Sequence, residues 1–283
     1  MHPTTNGPAN MNTTKQSPDL IIDVGMCDGG DTAYYLHKGY RVLAIEADPV
    51  LCETARETFS EAVYGERLQI LNAGIAGGSG SLTFYRNLTN LGQSSFDPEL
   101  GKTGGRYEQI AVDCVTLASV IERHGVPHYL KVDIEGFDEI ALSTLRPELA
   151  PPYISAELNF TESILERLKA LGYLKFKLIN QDFHTSSREI AQDDTMWRML
   201  RKMGRLVPPF RSLMTVLPQS WRPRMEWDKL HNPDLWDSKG LKISGPFGEE
   251  THGPWLDYAP AKAVLDWAKL RHDYCWWDVH ARK

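Results

Sequence analysis

Asp23-Val24-Gly25-Met26-Cys27-Asp28-Gly29-Gly30-Asp31-Thr32 lies directly after a short apolar run, residues 20–24, and leads into a helical stretch, residues 32–38, closed by Gly39. An apolar run of that length bounded by glycine reads as a buried strand. Glycine lets the backbone turn tightly and approach a ligand closely. A helix that begins there offers free amides to polar or anionic groups. The spacing is D-x-G-x-x-x-G and not the dinucleotide pattern G-x-G-x-x-G: one glycine stands near the first turn, and a carboxylate opens the loop.

That carboxylate narrows the ligand. A pyrophosphate would be repelled by Asp23, whereas the cationic methionine end of S-adenosylmethionine tolerates it, directly or through water. The competing reading of the loop alone is a glycine-rich turn that binds nothing. Residues 41–45 form a second apolar run ending in Glu46-Ala47-Asp48-Pro49, about 20 residues after the loop, where an acidic side chain can accept both ribose hydroxyls. Glu46 or Asp48 could serve. A helix over 51–59 and a third strand over 67–72 follow, with Asn72-Ala73 where an adenine edge would lie.

Short buried strands alternating with short helices predict an α/β fold with a parallel, doubly wound sheet and ligands at the carboxyl ends of the strands. Farther along, 81–86 and 110–115 read as strands around a Gly/Ser/Asn-rich loop, 87–105. Then come a helix over 117–124, a strand over 129–134 and a helix over 137–145. A strand over 153–158, a helix over 163–171 and a late strand over 174–180 complete the pattern.

The chain has 283 residues, a size suited to one such domain with additions. A formal net charge of -6 argues against a general nucleic-acid binder. Cys27, Cys52, Cys114 and Cys275 form no CxxC or Cys/His cluster, so neither zinc nor a disulfide framework is expected, and a reducing cytoplasm is the expected location. Residues 1–18 read as a flexible tail without the apolar core of a signal peptide. No stretch approaches the ~18 uninterrupted apolar residues of a membrane span. Residues 197–225 carry Arg198, Arg201, Lys202, Arg205, Arg211, Arg222 and Arg224 and no acidic residue. This segment reads as a solvated face, a lid over the cleft, a patch for an acidic substrate, or a surface for anionic lipid.

Tyr129-Leu130-Lys131-Val132-Asp133-Ile134-Glu135-Gly136 is the second chemical signal. In a strand, Lys131, Asp133 and Glu135 would share one side. Three charges on one face of a central strand are costly unless they pair or serve a site. Lys131 fits a structural ion pair, while Asp133 and Glu135 fall nearer the cleft. The next strand ends in Glu157-Leu158-Asn159. No metal is expected. Were a divalent cation such as Mg²⁺ required, Asp133, Glu157 and Asn159 would supply its oxygens. Hydrogen bonding without metal is the alternative.

IIDVGMCDGGDT, AIEADP, ILNAGIAG, VDCVTLASVI and LKVDIEGFDEIALSTL, in this order, resemble the FkbM-type methyltransferases over residues 19–180. The K-x-D-x-E-G segment is the more specific mark. Met26-Cys27-Asp28 departs from the smaller or amide residues of many relatives. The resemblance implies a Rossmann-like class I methyltransferase fold: a mostly parallel seven-stranded sheet with a terminal antiparallel hairpin and helices on both faces. It places the S-adenosylmethionine-binding domain at 19–190 and a basic, Trp/Pro-rich C-terminal extension at 191–283, a lid or oligomer contact. It implies methyl transfer to a free hydroxyl of a secondary metabolite, sugar or lipid-linked glycan. Carried over by position, Asp23, Gly25, Gly29, Thr32, Glu46, Ala47, Asn72, Ala73 and Asp133 would line the cofactor, with Ser94 and Ser95 near it.

Methylating an alcohol requires a group that accepts or stabilises the departing proton. Asp133, Glu135 and Glu157 are the candidates, with Asn159 orienting the acceptor; His184, His252 and His280 are alternatives. The rivals are a scaffold that keeps the fold without turnover and a nicotinamide-dependent oxidoreductase, which the absence of G-x-G-x-x-G opposes.

Overall fold

The computed structural model describes residues 15–158, 162–181, 185–186, 244–271 and 277–283. The chain alternates as expected through its first half. Strand β1 (Gln16–Val24) leads to helix α1 (Gly30–His37), and β2 (Arg41–Glu46) leads to α2 (Pro49–Thr58) and α3 (Ser60–Tyr64). After β3 (Leu68–Asn72) come the short β4 (Gly74–Ile75), β5 (Gly80–Asn87), α4 (Pro98–Gly101) and β6 (Tyr107–Val115). Helix α5 (Leu117–His124), β7 (Val126–Val132), α6 (Asp138–Ser143), β8 (Tyr153–Glu157), α7 (Ser163–Ala170) and β9 (Lys175–Asn180) follow. The described chain closes with β10 (Thr185–Ser186), α8 (Tyr258–Arg271) and β11 (Trp277–Arg282).

The main sheet has the order β10-β9-β11-β8-β7-β1-β2-β3. Strands β3, β2, β1, β7 and β8 are mutually parallel, while β11 runs antiparallel to both β8 and β9. Counting β10 as a two-residue addition, this is the expected seven-stranded, mostly parallel α/β sheet. Strand order reverses between β1 and β7, so the loops after these two strands diverge and leave a crevice at their carboxyl ends.

Period-two alternation builds a core on each face. Ile22, Val24, Leu43, Ile45, Leu130 and Val132 pack under α5, α6, α7 and α8. On the other face, Ile21, Val42, Ala44 and Tyr129 pack under α1 and α2. Phe247 joins this second core by stacking on Tyr129, with ring centroids 4.5 Å apart.

Three differences from the sequence reading have physical causes. Strand β1 begins at Gln16, inside the stretch expected to be a tail, because Gln16 and Ser17 pair with Val126 and Pro127 and the Ser17 hydroxyl donates to the His124 carbonyl. Strands β5 and β6 stand apart with β4 in a separate three-stranded sheet. The slot between β8 and β9 is filled by β11, from the segment assigned to an extension, so residue 190 is no boundary of the sheet. Among the described residues no helix is long and apolar enough to cross a membrane.

Candidate functional site

The glycine loop leaves β1 at Val24. Its first turn is held from both flanks: Asp133 N–H donates to the Val24 carbonyl, and Gly25 and Met26 N–H donate to the Ile45 carbonyl. Gly25 has φ +87°, and a Cβ there would lie 1.8 Å from the Asp133 carbonyl oxygen, so no larger residue fits. Gly29 has φ +84° at the start of α1, where a Cβ would meet the Phe59 ring at 2.6 Å.

Glu46 ends β2 as the sequence predicts, and its carboxylate is fixed in place. Oε2 accepts from Cys27 N–H at 2.9 Å and Oε1 from Asp48 N–H at 2.8 Å. A carboxylate has about four acceptor positions, so two remain. Burial raises the Glu46 pKa, and the amides of Asp48 and Cys27 act against that rise. Asp48, the alternative ribose ligand, is committed elsewhere: it caps α2 through Val50 N–H and pairs with Arg86 at 2.6 Å. Asn72 donates to the carbonyls of Glu46 and Ala47, at 2.9 and 3.1 Å, and so holds the turn from behind.

Between these elements lies a cleft that encloses, with the open solvent at its mouth, about 510 Å³. Gly25, Glu46, Ala47, Ala73, Ser94, Asp133 and Glu135 line it, as do the apolar Phe84, Phe96, Ile75 and Leu91. Asp23, Gly29, Thr32, Asn72, Ser95 and Glu157 do not line it. Asp23 is fully buried beneath the loop and accepts the Thr32 hydroxyl at 2.7 Å. Ser95 donates to the Glu135 carbonyl at 2.7 Å and accepts from Asp97 N–H, tying the β5–β6 sheet to the acidic loop.

Lys131 is buried among three carboxylates, Asp31 at 2.9 Å, Asp133 at 3.2 Å and Asp23 at 3.8 Å. Burial opposes its charge, but Asp133, Asp31 and Asp23 outweigh burial and hold the ammonium protonated. For Asp23, burial prevails over Lys131 and pushes the carboxyl up to about 7.

Beyond Lys131 the strand pattern stops. Strand β7 ends at Val132, and Glu135 adopts φ +45°. This bend, not strand alternation, sets the direction of Glu135. Carboxylate oxygens of Asp133, Glu135 and Glu157 all lie within 4.8 Å of one another. Such a group can share protons or hold a hard cation. Glu135 takes the place expected of Asn159, which lies outside the described residues. Burial, then the charges of Asp133 and Asp138, pushes Glu135 up to about 8. Burial pushes Glu157 up to about 10, reinforced by Asp133 and Glu135. Asp138, at the start of α6, is fully buried, and burial, then the charge of Asp133, pushes it up to about 7 against the pull of nearby backbone amides.

His280 lies on β11, buried, opposite Ser155 and Lys177 in register, and well inside the sheet. His252 is half-buried in the turn before α8. His184, Cys275 and the basic residues of 197–225 lie outside the described residues. Sequence reasoning missed the aromatic wall, for which phenylalanines in strand and loop gave no distinguishing signal. It also missed Asp31, which sits in the glycine loop but faces Lys131.

The methyltransferase FkbM domain model matches residues 23–178, more than half of the chain. No curated protein matches the chain. Among solved structures, a precorrin-6y C5,15-methyltransferase from Geobacter metallireducens is 12% identical over 59% of this chain and 71% of that one, with TM-score 0.33. A SAM-dependent methyltransferase from Geobacter sulfurreducens in complex with S-adenosyl-L-homocysteine is 13% identical over 95% and 85%, with TM-score 0.32. The [4+2]-cyclase SpnF is 11% identical over 95% and 75%, with TM-score 0.36.

Proposed function

The chain belongs to the FkbM methyltransferase family, and on that footing we propose that it moves the methyl group of S-adenosylmethionine to a hydroxyl of a secondary metabolite, sugar or lipid-linked glycan. The observation that carries the cofactor reading is the cleft at Gly25 and Glu46. Gly25 and Glu46 line the same cleft, and the fixed Glu46 carboxylate keeps acceptor capacity for ribose hydroxyls. The aromatic lining at Phe84 and Phe96 suits a purine, and Asp133 suits the amino-acid end with its cationic amine.

When bound, the cofactor supplies a methyl carbon already activated by its sulfonium, so the protein contributes alignment, exclusion of water and proton handling. Transfer of that methyl to a hydroxyl oxygen would release the hydroxyl proton, which a side chain of this protein would have to take up. Glu135 lines the cleft and is raised to about 8, close to the working range of a general base. We assign it that role. Glu157, which lies within 4.8 Å of Glu135 and which burial pushes up to about 10, is assigned the role of a proton-bearing group that orients the acceptor beside the cleft.

Calorimetric titration with S-adenosylmethionine, NADH as control, tests the cofactor. Saturable binding of S-adenosylmethionine alone is expected, weakened roughly tenfold or more in Glu46→Ala, about 1.4 kcal/mol or more. Binding of NADH instead would overturn the proposal. The closeness of Asp133, Glu135 and Glu157 favours one second reading, a bound Mg²⁺. Turnover lost in EDTA and restored by Mg²⁺ would support it, and unchanged turnover would remove it.

A further inference from the structure

We propose that Asp31 is a positioning residue for the cofactor's amino-acid end, acting through Lys131 on Asp133 and anchored by Ser244. The inference rests on the reading of Asp133 given above, and its parts can be separated from it experimentally.

The chain of contacts is short and continuous. Ser244 donates its backbone N–H to Asp31 Oδ1 at 2.7 Å and its hydroxyl to Oδ2 at 2.8 Å. Asp31 Oδ2 in turn lies 2.9 Å from Lys131 Nζ, which lies 3.2 Å from Asp133 Oδ2. Of the three carboxylates around Lys131, only Asp133 lines the cleft. Asp31 makes the shortest contact with Lys131, so it decides where along its flexible stem the ammonium comes to rest.

Ser244 is itself held independently of Asp31. Three residues on, Phe247 stacks on Tyr129, and Glu250 pairs with Lys38 just past the end of α1. The anchor therefore brings a rigid reference point from 213 residues away in sequence to the buried lysine. Without the Asp31 charge, Lys131 would turn to Asp133 and compete with the cofactor's amine for it. Without the Ser244 hydroxyl, Asp31 would keep one donor and hold Lys131 less firmly. None of these contacts is made to Glu46.

The test compares S-adenosylmethionine with 5′-methylthioadenosine, which lacks the amino-acid end, by calorimetry on the full chain. Asp31→Asn should weaken S-adenosylmethionine roughly tenfold, as expected for loss of a charged hydrogen-bonding partner, and leave methylthioadenosine unchanged. Ser244→Ala should weaken it by a smaller factor with the same selectivity, and Ser244→Thr should restore it. A purely structural role would weaken both ligands together. Equal loss for both ligands, or no loss, in Asp31→Asn and Ser244→Ala overturns the inference. If Asp31→Asn does not fold, Ser244→Ala and its threonine rescue decide alone. Asp133→Asn separates the two readings: selective loss there with no effect at Asp31 or Ser244 leaves the Asp133 reading standing and removes the relay. Loss of neither ligand in Asp133→Asn removes the Asp133 reading itself.

Discussion

At the β2 edge of the cleft Glu46 is buried and both its oxygens accept backbone amides. At the β7–β8 edge Glu157 is half-buried, and among the described residues its buried Oε2 has no hydrogen-bond partner. The same side chain thus meets two treatments of buried charge a few strands apart. Around Glu46 each neighbour has its own partner: Asp48 has Val50 and Arg86, and Asn72 has two carbonyls. Around Glu157, the carboxyls of Asp133, Glu135, Asp138 and Asp278 all disfavour its charge, and Lys131 pairs with Asp133. An edge whose acceptors are already oriented binds without rearrangement. An edge whose carboxyls hold protons stores a capacity to change charge, at a cost in stability. On the proposed function, holding and reacting are divided between the two edges.

The strongest way to break this contrast is Gly25→Ala, at the turn the two edges share. A Cβ 1.8 Å from the Asp133 carbonyl, with φ +87°, must displace both flanks of the cleft. Strain and overpacking together are expected to cost roughly 3–5 kcal/mol, read as a lower urea midpoint and loss of cofactor binding. A variant as stable as the parent would show that the turn tolerates a side chain.

Next in size is Glu135→Gln. Loss of a general base is expected to lower kcat about a hundredfold while leaving cofactor affinity close to that of the parent. Unchanged kcat would move the base elsewhere in the acidic group.

Per pH unit the smallest effect is read by titration, and it sharpens the contrast. Glu157, Glu135 and Asp138 are raised in the folded protein, to about 10, 8 and 7. Between the unfolded carboxyl range near pH 4 and these values the folded state binds more protons than the unfolded one, so stability falls as pH rises. Urea unfolding of the ligand-free protein from pH 5.5 to 8.5 should show that decline. Glu157→Gln should flatten it by up to about 1.4 kcal/mol per pH unit, the contribution of one proton. An unaltered slope would mean that Glu157 ionises normally.

The β2 edge was the more legible of the two. A glycine loop after an apolar run and an acid at the next strand end are local patterns, and Gly25 and Glu46 stand where those patterns put them. The direction of Asp23 was not legible. Whether a carboxylate at the end of β1 faces the cleft or the sheet depends on Lys131 and Thr32, which pack against it from other elements. Glu135 was expected on the same strand face as Lys131, but β7 stops three residues before it, and a left-handed turn aims its side chain. Strand β11 carried a readable alternation, Asp278, His280 and Arg282 against Trp277, Val279 and Ala281. What no local pattern could supply was its slot between β8 and β9.

That slot has a kinetic consequence. Strands β1, β2 and β3 can pair soon after each forms, because little chain separates them. The β8–β11 and β9–β11 pairings must instead close a long loop, and such closure slows folding. Until β11 arrives, β8 and β9 each present an open row of backbone donors and acceptors, a template for other chains. Refolding yield should therefore fall with protein concentration more steeply than in a sheet assembled from neighbours, and the intermediate that aggregates should already contain an ordered β1–β3 half.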